Sequence, residues 1–202
     1  MTDHTSPVIL LLAAGEGSRF GGAKQLALIT GEAMVRRVAR TLLEVDVPVL
    51  AVTGAYAEDV EAALDDLPLS VVRCEEWQLG MGHSLAAGVR ELMRVFPAAS
   101  AALICLADQP LLDAAFVHDL LQRHAQAPDR LLATVYRGVQ GPPALFPRDC
   151  FAALADLSGT HGARSVLEQK STRVEAFASE GMADIDTQED LLHVMLRTHW
   201  RG

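Results

Sequence analysis

The spacing of apolar residues in this chain switches repeatedly between continuous runs and helical stripes, and that alternation constrains the fold more than any single motif does. Val8-Ile9-Leu10-Leu11-Leu12 is an unbroken apolar run between Pro7 and Gly15, as a strand buried on both faces requires. Over residues 32–44 the apolar positions Val35, Val38, Ala39 and Leu42 fall at helical spacing. Residues 47–52 predict a second strand, 58–67 a helix, 69–73 a strand and 84–96 a helix. Residues 101–106 are again continuously apolar and run into Ala107-Asp108-Gln109-Pro110, where proline ends the strand. A helix over 116–125 and a strand over 131–136 follow. The rest is less regular: a short strand at Leu145-Phe146, helices over 149–157 and 163–170, an alternating run over 173–177, a short strand over 183–185 and a closing helix over 188–197.

Strand and helix alternate over roughly the first 135 residues, which predicts an α/β architecture with three layers, a mostly parallel central sheet covered on both faces. With 202 residues, no repeat and no linker, the chain is expected to form a single domain over residues 1–202. In such sheets ligands bind at the carboxyl ends of the strands. The two richest polar loops, residues 14–24 and 107–112, each follow an apolar strand directly, so both are expected on that edge.

Composition narrows the ligands. The formal net charge is -9, and no run of Lys or Arg exceeds Arg36-Arg37, so binding to a nucleic-acid backbone is disfavoured. An acidic chain that holds an anion needs a local cationic site, with a metal as the natural supplement. Cys74, Cys105 and Cys150 show no Cys-x-x-Cys spacing and the seven histidines no metal-binding pairing, so neither a disulfide framework nor zinc is expected. The apolar run at residues 8–14 is far short of the ~20 residues that span a bilayer. A cytoplasmic protein with no membrane association is the expectation.

The loop after the first strand is the chemical centre of the sequence. Gly15, Gly17, Gly21 and Gly22 let backbone N–H groups approach an anion closely, and Arg19 and Lys24 add fixed positive charge. Neither standard phosphate fingerprint matches. Gly17 to Lys24 has one residue too many for a Walker A loop and lacks the following Ser or Thr. Gly15-x-Gly17-x-x-Phe20 lacks the third glycine of a dinucleotide loop.

Leu12-Ala13-Ala14-Gly15-x-Gly17-Ser18-Arg19-Phe20-Gly21-x-x-Lys24-x-Leu26 resembles the signature loop of the MobA-like NTP transferases, and within them most nearly that of the molybdenum cofactor cytidylyltransferases. The resemblance implies a Rossmann-like nucleotidyltransferase fold. It also implies that Ala13, Ala14 and Gly15 contact the base, while Gly17, Ser18, Arg19 and Lys24 handle the triphosphate. Ala14 stands where guanylyl-transferring relatives tend to carry a second glycine, which leans the base toward cytosine.

Other segments extend the resemblance. Leu106-Ala107-Asp108-Gln109-Pro110 is similar to the family's metal-binding turn, and a carboxylate there suits Mg²⁺; shaping the turn is the alternative role for Asp108. Asp184-Ile185-Asp186-Thr187-Gln188-Glu189-Asp190-Leu191 resembles the family's terminal segment, with Asp186 matching the second metal ligand and a helix cap as its alternative. Trp77-x-x-Gly80-Met81-Gly82-His83-Ser84 resembles the nucleotide-reading segment, with Ser84 near base or ribose or else capping the next helix; Cys74 stands where the family often has Asn. In Gly141-Pro142-Pro143 a proline replaces the family's polar residue, and in Gly159-Thr160-His161-Gly162-Ala163-Arg164 a threonine replaces its aspartate. Both segments are expected on the acceptor side, within residues 136–202, with the nucleotide in residues 1–135.

The resemblance implies an Mg²⁺-dependent nucleotidyltransferase moving CMP from CTP onto a phosphate-bearing acceptor such as the molybdopterin cofactor, releasing pyrophosphate. Arg19, Lys24 and Asp108 are the catalytic candidates, and Asp108 and Asp186 the metal ligands. The alternatives are a guanylyl or sugar-phosphate transferase, an inactive nucleotide-binding module, and an esterase-like hydrolase built on Gly82-His83-Ser84-Leu85-Ala86.

Overall fold

The computed structural model describes residues 6–136, 138–178 and 184–199. The elements are β1 (Val8–Leu12), β2 (Leu28–Ile29), β3 (Glu32–Ala33), α1 (Met34–Leu43), β4 (Val49–Thr53), α2 (Ala57–Leu64), β5 (Ser70–Arg73) and α3 (Met81–Val95). They continue with β6 (Ala101–Leu106), α4 (Ala114–Gln126), β7 (Leu131–Tyr136), β8 (Val139–Pro147), α5 (Phe151–Ala155), α6 (Ala163–Gln169), β9 (Val174–Ala178) and α7 (Gln188–His199).

Seven strands form one sheet in the order β5-β4-β1-β6-β8-β7-β9. β1 lies between β4 and β6 and pairs in parallel with both. β8 pairs antiparallel with both neighbours, and every other pairing in the sheet is parallel. The sheet is therefore mostly parallel, as the apolar pattern predicts.

Side chains alternate across each strand, and β1 shows the consequence. Ile9 and Leu11 pack on one face against Val35, Val38 and Leu42 of α1, Val60 and Leu64 of α2, and Val117 and Leu120 of α4. Val8 and Leu10 pack on the other against Leu85, Val89 and Leu92 of α3, Phe151 and Leu154 of α5, and Val166 and Leu167 of α6. Two helical layers thus enclose the sheet, which is why the central strands read as unbroken apolar runs. Among the described residues no helix is long and apolar enough to cross a membrane.

Four expectations need correction. Glu32–Ala33 pairs with Leu28–Ile29 in a small antiparallel hairpin, so the first helix begins at Met34. α3 begins at Met81, which puts Ser84 inside the helix and leaves it no capping role. β8 covers nine residues rather than Leu145-Phe146 alone. Pro142 and Pro143 fall at a register shift, where Ala133 faces Ala144 and Thr134 faces Gly141, so they owe nothing to the β7 ladder. Asp184 and Ile185 are not in a strand; Ile185 makes a single main-chain bond to Asp108, and Ala183 lies outside the described residues.

Candidate active site

The register of the sheet sets the site. Leu12 and Leu106 are paired at the carboxyl ends of β1 and β6, so the glycine-rich loop and the Asp108 turn leave the sheet side by side. Ala107 N bonds to Leu12 O at 3.0 Å, and Ala13 N to Val52 O at 2.9 Å. A cleft of about 410 Å³ opens there. Its walls include Ala13, Ala14, Gly15, Gly17, Ser18, Arg19, Lys24, Ser84, Asp108 and Asp186, so every candidate from the sequence meets at one place.

The loop is held by its own backbone. Gly17 O accepts from Phe20 N at 2.9 Å and Gly21 N at 3.0 Å, and Lys24 N donates to Gly22 O at 2.7 Å. Gly17 sits at φ +70°, and a Cβ there would run into Gly22 O, so both conformation and space require glycine. Beneath the loop lies a residue that no pattern in the sequence singles out. Gln25, 2% exposed, donates from Nε2 to Ala13 O at 3.2 Å and to Gly15 O, bracing the first residues of the loop from behind.

Lys24 crosses from this loop to the carboxylates. Its Nζ lies 2.5 Å from Asp108 Oδ2, 3.2 Å from Asp186 Oδ1 and 3.2 Å from Ile185 O. Arg19, largely exposed, reaches Asp186 Oδ2 at 3.0 Å. Burial alone would lower the Lys24 ammonium's pKa, but the charges of Asp108 and Asp186 hold it above its ordinary value. Burial raises the Asp108 carboxyl, and Asp184 and Asp186 push the same way against the pull of Lys24.

The carboxylates are free of the alternative roles weighed for them. The Asp108 side chain points at Lys24, while main-chain bonds, such as Leu112 N to Gln109 O at 3.1 Å, close its turn. Thr187 and Asp190 cap the start of α7 reciprocally: Asp190 N donates to Thr187 Oγ1 at 3.2 Å, and Thr187 N to Asp190 Oδ2 at 2.8 Å. Asp186 is not needed as the cap. Ile185, fully buried against Phe20, Ile29, Met34 and Val194, anchors the segment that presents it.

Two oxygen donors from different segments suit Mg²⁺, which takes one or two carboxylates and fills its shell with phosphate and water. Asp108 Oδ1 fits such a group: it is buried and has no hydrogen-bond partner among the described residues. No cluster of three or more His, Cys, Asp or Glu side chains there forms a metal cage, so the donor set does not suit structural zinc.

The far wall divides its labour. Gly80, Met81 and Ser84 face the cleft together with Trp77. Gly82 and His83 instead meet the loop before α6: Gly82 N donates to Gly159 O at 2.9 Å, and Gly159 N to His83 Nδ1 at 3.0 Å. Cys74 is buried with Ala14, Val52 and Trp77 behind the cleft. Ser84 lies within a helix, not on the strand-to-helix turn that an esterase nucleophile needs, which removes the hydrolase reading.

Residues 9–174 match the MobA-like NTP transferase domain. Purine catabolism protein PucB of Bacillus subtilis is 30% identical over 199 residues, covering 92% of this chain and 95% of that protein. Nicotine blue oxidoreductase of Paenarthrobacter nicotinovorans is 31% identical over 210 residues, covering 96% of this chain and 100% of that one. Among solved structures, Rv0371c of Mycobacterium tuberculosis H37Rv in complex with manganese superposes with a TM-score of 0.75 at 23% identity, covering 95% of this chain and 98% of its own. The chain belongs to the MobA-like NTP transferase family, and its substrate class is the nucleoside triphosphates.

Proposed function

We propose that this nucleotidyltransferase moves CMP from CTP onto a phosphate-bearing acceptor of the molybdopterin type, with Mg²⁺ held by Asp108 and Asp186. The observation that carries this reading is the meeting of Lys24, Asp108 and Asp186 at the end of a glycine loop, within 3.2 Å of one ammonium. A site that only bound nucleotide would have no use for two carboxylates facing a triphosphate. The manganese complex of the structurally similar Rv0371c supports a divalent cation in this fold. Ala14, standing where guanylyl-transferring relatives tend to carry a second glycine and lining the cleft, supports the lean toward cytosine.

In this reading the acceptor's phosphate oxygen forms a bond to the α-phosphorus, the bond to the β-phosphate oxygen breaks, and pyrophosphate departs. When bound, Mg²⁺ supplies Lewis-acid neutralisation of the phosphate oxygens. Asp108 and Asp186 would hold it. Arg19 and Lys24 would stabilise charge developing on the α-phosphate and on the leaving pyrophosphate. The Gly17 turn and Gln25 fix the loop that orients the nucleotide, so most of the barrier lowering comes from positioning.

The test is a thermal-shift panel of CTP, GTP, ATP and UTP with Mg²⁺, followed by pyrophosphate release with a molybdopterin acceptor. CTP should raise the transition most, and Asp108→Ala should reduce release by about 10³-fold with the fold intact. A larger shift with GTP would overturn the base assignment. Normal turnover in Asp108→Ala would overturn the metal site.

A further inference from the structure

The turn after β6 carries a second polar side chain, Gln109, which is only 4% exposed. Its Nε2 donates to Pro142 O at 3.0 Å and to Asp184 Oδ1 at 2.8 Å. The reverse orientation would set the amide oxygen against a carbonyl and a carboxylate, so the partners fix which way the amide points. Those partners lie 33 and 75 residues further along the chain. Asp184 stands two residues before Asp186, and the residue between them is tied to the same turn by Ile185 N to Asp108 O at 2.9 Å. Adjacent residues of one turn thus grip adjacent residues of the other segment, once through a side chain and once through the main chain.

We infer that Gln109 is a positioning residue: it clamps the Asp184–Asp186 segment and the Pro142 turn to the end of β6, and so sets where Asp186 stands relative to Asp108. The inference rests on the reading that these two carboxylates hold a divalent cation. Mg²⁺ demands near-octahedral geometry with bonds of about 2.0–2.1 Å, so a small displacement of one ligand weakens binding. Gln109 does not line the cleft and acts only through what it holds. Without its donors, the exposed Asp184 carboxylate and the half-buried Pro142 carbonyl exchange Gln109 for water, and the segment that carries Asp186 is no longer held to the turn. The clamp also accounts for a proline at position 142: the turn gives the clamp a main-chain oxygen, which any residue provides.

The experiment measures Mn²⁺ binding to the purified chain by electron paramagnetic resonance, without nucleotide, in Gln109→Leu, Asp184→Leu and Asp184→Asn. Loss of a residue that orients a metal ligand costs about 10–100-fold in affinity, and Gln109→Leu and Asp184→Leu should each show that loss. Asp184→Asn keeps an oxygen for Nε2 and should stay within about threefold of wild type, while the double leucine variant should be no worse than either single one. Gln109→Leu binding Mn²⁺ as wild type does overturns the clamp. So does Asp184→Asn falling as far as Asp184→Leu, because charge rather than the hydrogen bond would then be responsible. If Gln109→Leu does not fold, the contrast between the two Asp184 variants decides alone. Asp108→Asn with Asp186→Asn separates the two readings. Unchanged Mn²⁺ binding in that pair overturns the metal site and the clamp together, whereas loss there with normal binding in Gln109→Leu overturns the clamp only.

Discussion

The two sides of the cleft are built in opposite ways. The phosphate side is one stretch of chain, residues 13–25, shaped by backbone bonds that return to Gly17 and by glycines at positive φ. The carboxylate side is assembled from the Asp108 turn, the Pro142 turn and the Asp184–Asp186 segment, joined by the Gln109 side chain across 33 and 75 residues. A contiguous loop depends on local conformation, so it is most vulnerable to a backbone change. An assembled site depends on long-range hydrogen bonds, so it is most vulnerable to losing one side chain.

The sharpest way to break this contrast is Gly17→Ala. A side chain at φ +70° costs about 1–2 kcal/mol, and the added Cβ collides with Gly22 O. The loop must then open, displacing the atoms that orient the triphosphate. A misplacement of about 1 Å is enough to lower kcat/KM for the triphosphate by about 10²-fold. Steady-state kinetics beside a circular-dichroism spectrum check this; near-normal kcat/KM would mean that loop conformation does not build the phosphate side.

Gln25→Leu is expected to do less. It leaves Ala13 O and Gly15 O without their donor, a cost of about 1–3 kcal/mol for buried groups. That corresponds to roughly a tenfold rise in KM for the triphosphate with kcat less affected. An unchanged KM would show that the loop holds its shape by its backbone alone.

This contrast also explains what was legible in the sequence. The sheet was legible because β1, β4 and β6 are buried on both faces and are apolar throughout, apart from Thr53 at the end of β4. Arg19, Lys24 and the loop glycines were legible because they lie in one stretch. The Asp108 turn was placed beside the glycine loop because both follow apolar strands; Asp186 was reached through family resemblance, and its nearness to Lys24 is a tertiary fact that no spacing encodes. Gln25 and Gln109 were missed for the same reason: a buried glutamine is recognisable only by its acceptors, which lie elsewhere in the chain. β8 was underestimated because Gly141-Pro142-Pro143 reads as a stop, whereas the register shift beside it lets the strand continue.

The opposite edge of the sheet offers a smaller, complementary test. There the buried His124 faces Ser100 Oγ at 3.5 Å beside the Arg173–Asp149 pair, which is bonded through both terminal guanidinium nitrogens. Burial lowers the imidazole pKa from its ordinary 6.5. Below that value the unfolded chain binds more protons than the folded one, so the His124 contribution to stability falls as pH drops through it and is constant above. Urea midpoints at about pH 7.5 and about pH 5.5 should differ in wild type and differ less in His124→Gln. The carboxylates held low by arginines, Glu61 and Asp149 among them, lose their contribution only at more acidic pH. An equal pH difference in both proteins would remove His124 as the cause.

The smallest expected effect belongs to Pro142, although family comparison makes that position conspicuous. Its side chain is not part of the cleft wall, and what it offers the site is its carbonyl oxygen, which accepts from Gln109 Nε2. Pro142→Ala preserves that oxygen, so kcat/KM for both substrates should stay within about threefold of wild type, the spread usual for a substitution that removes no partner. Mn²⁺ affinity should likewise stay put. If Pro142→Ala instead impairs acceptor KM while leaving the triphosphate and Mn²⁺ unaffected, the ring itself contacts the acceptor. The carboxylate side would then carry substrate specificity in its side chains, and not only in the main-chain oxygen that Gln109 holds.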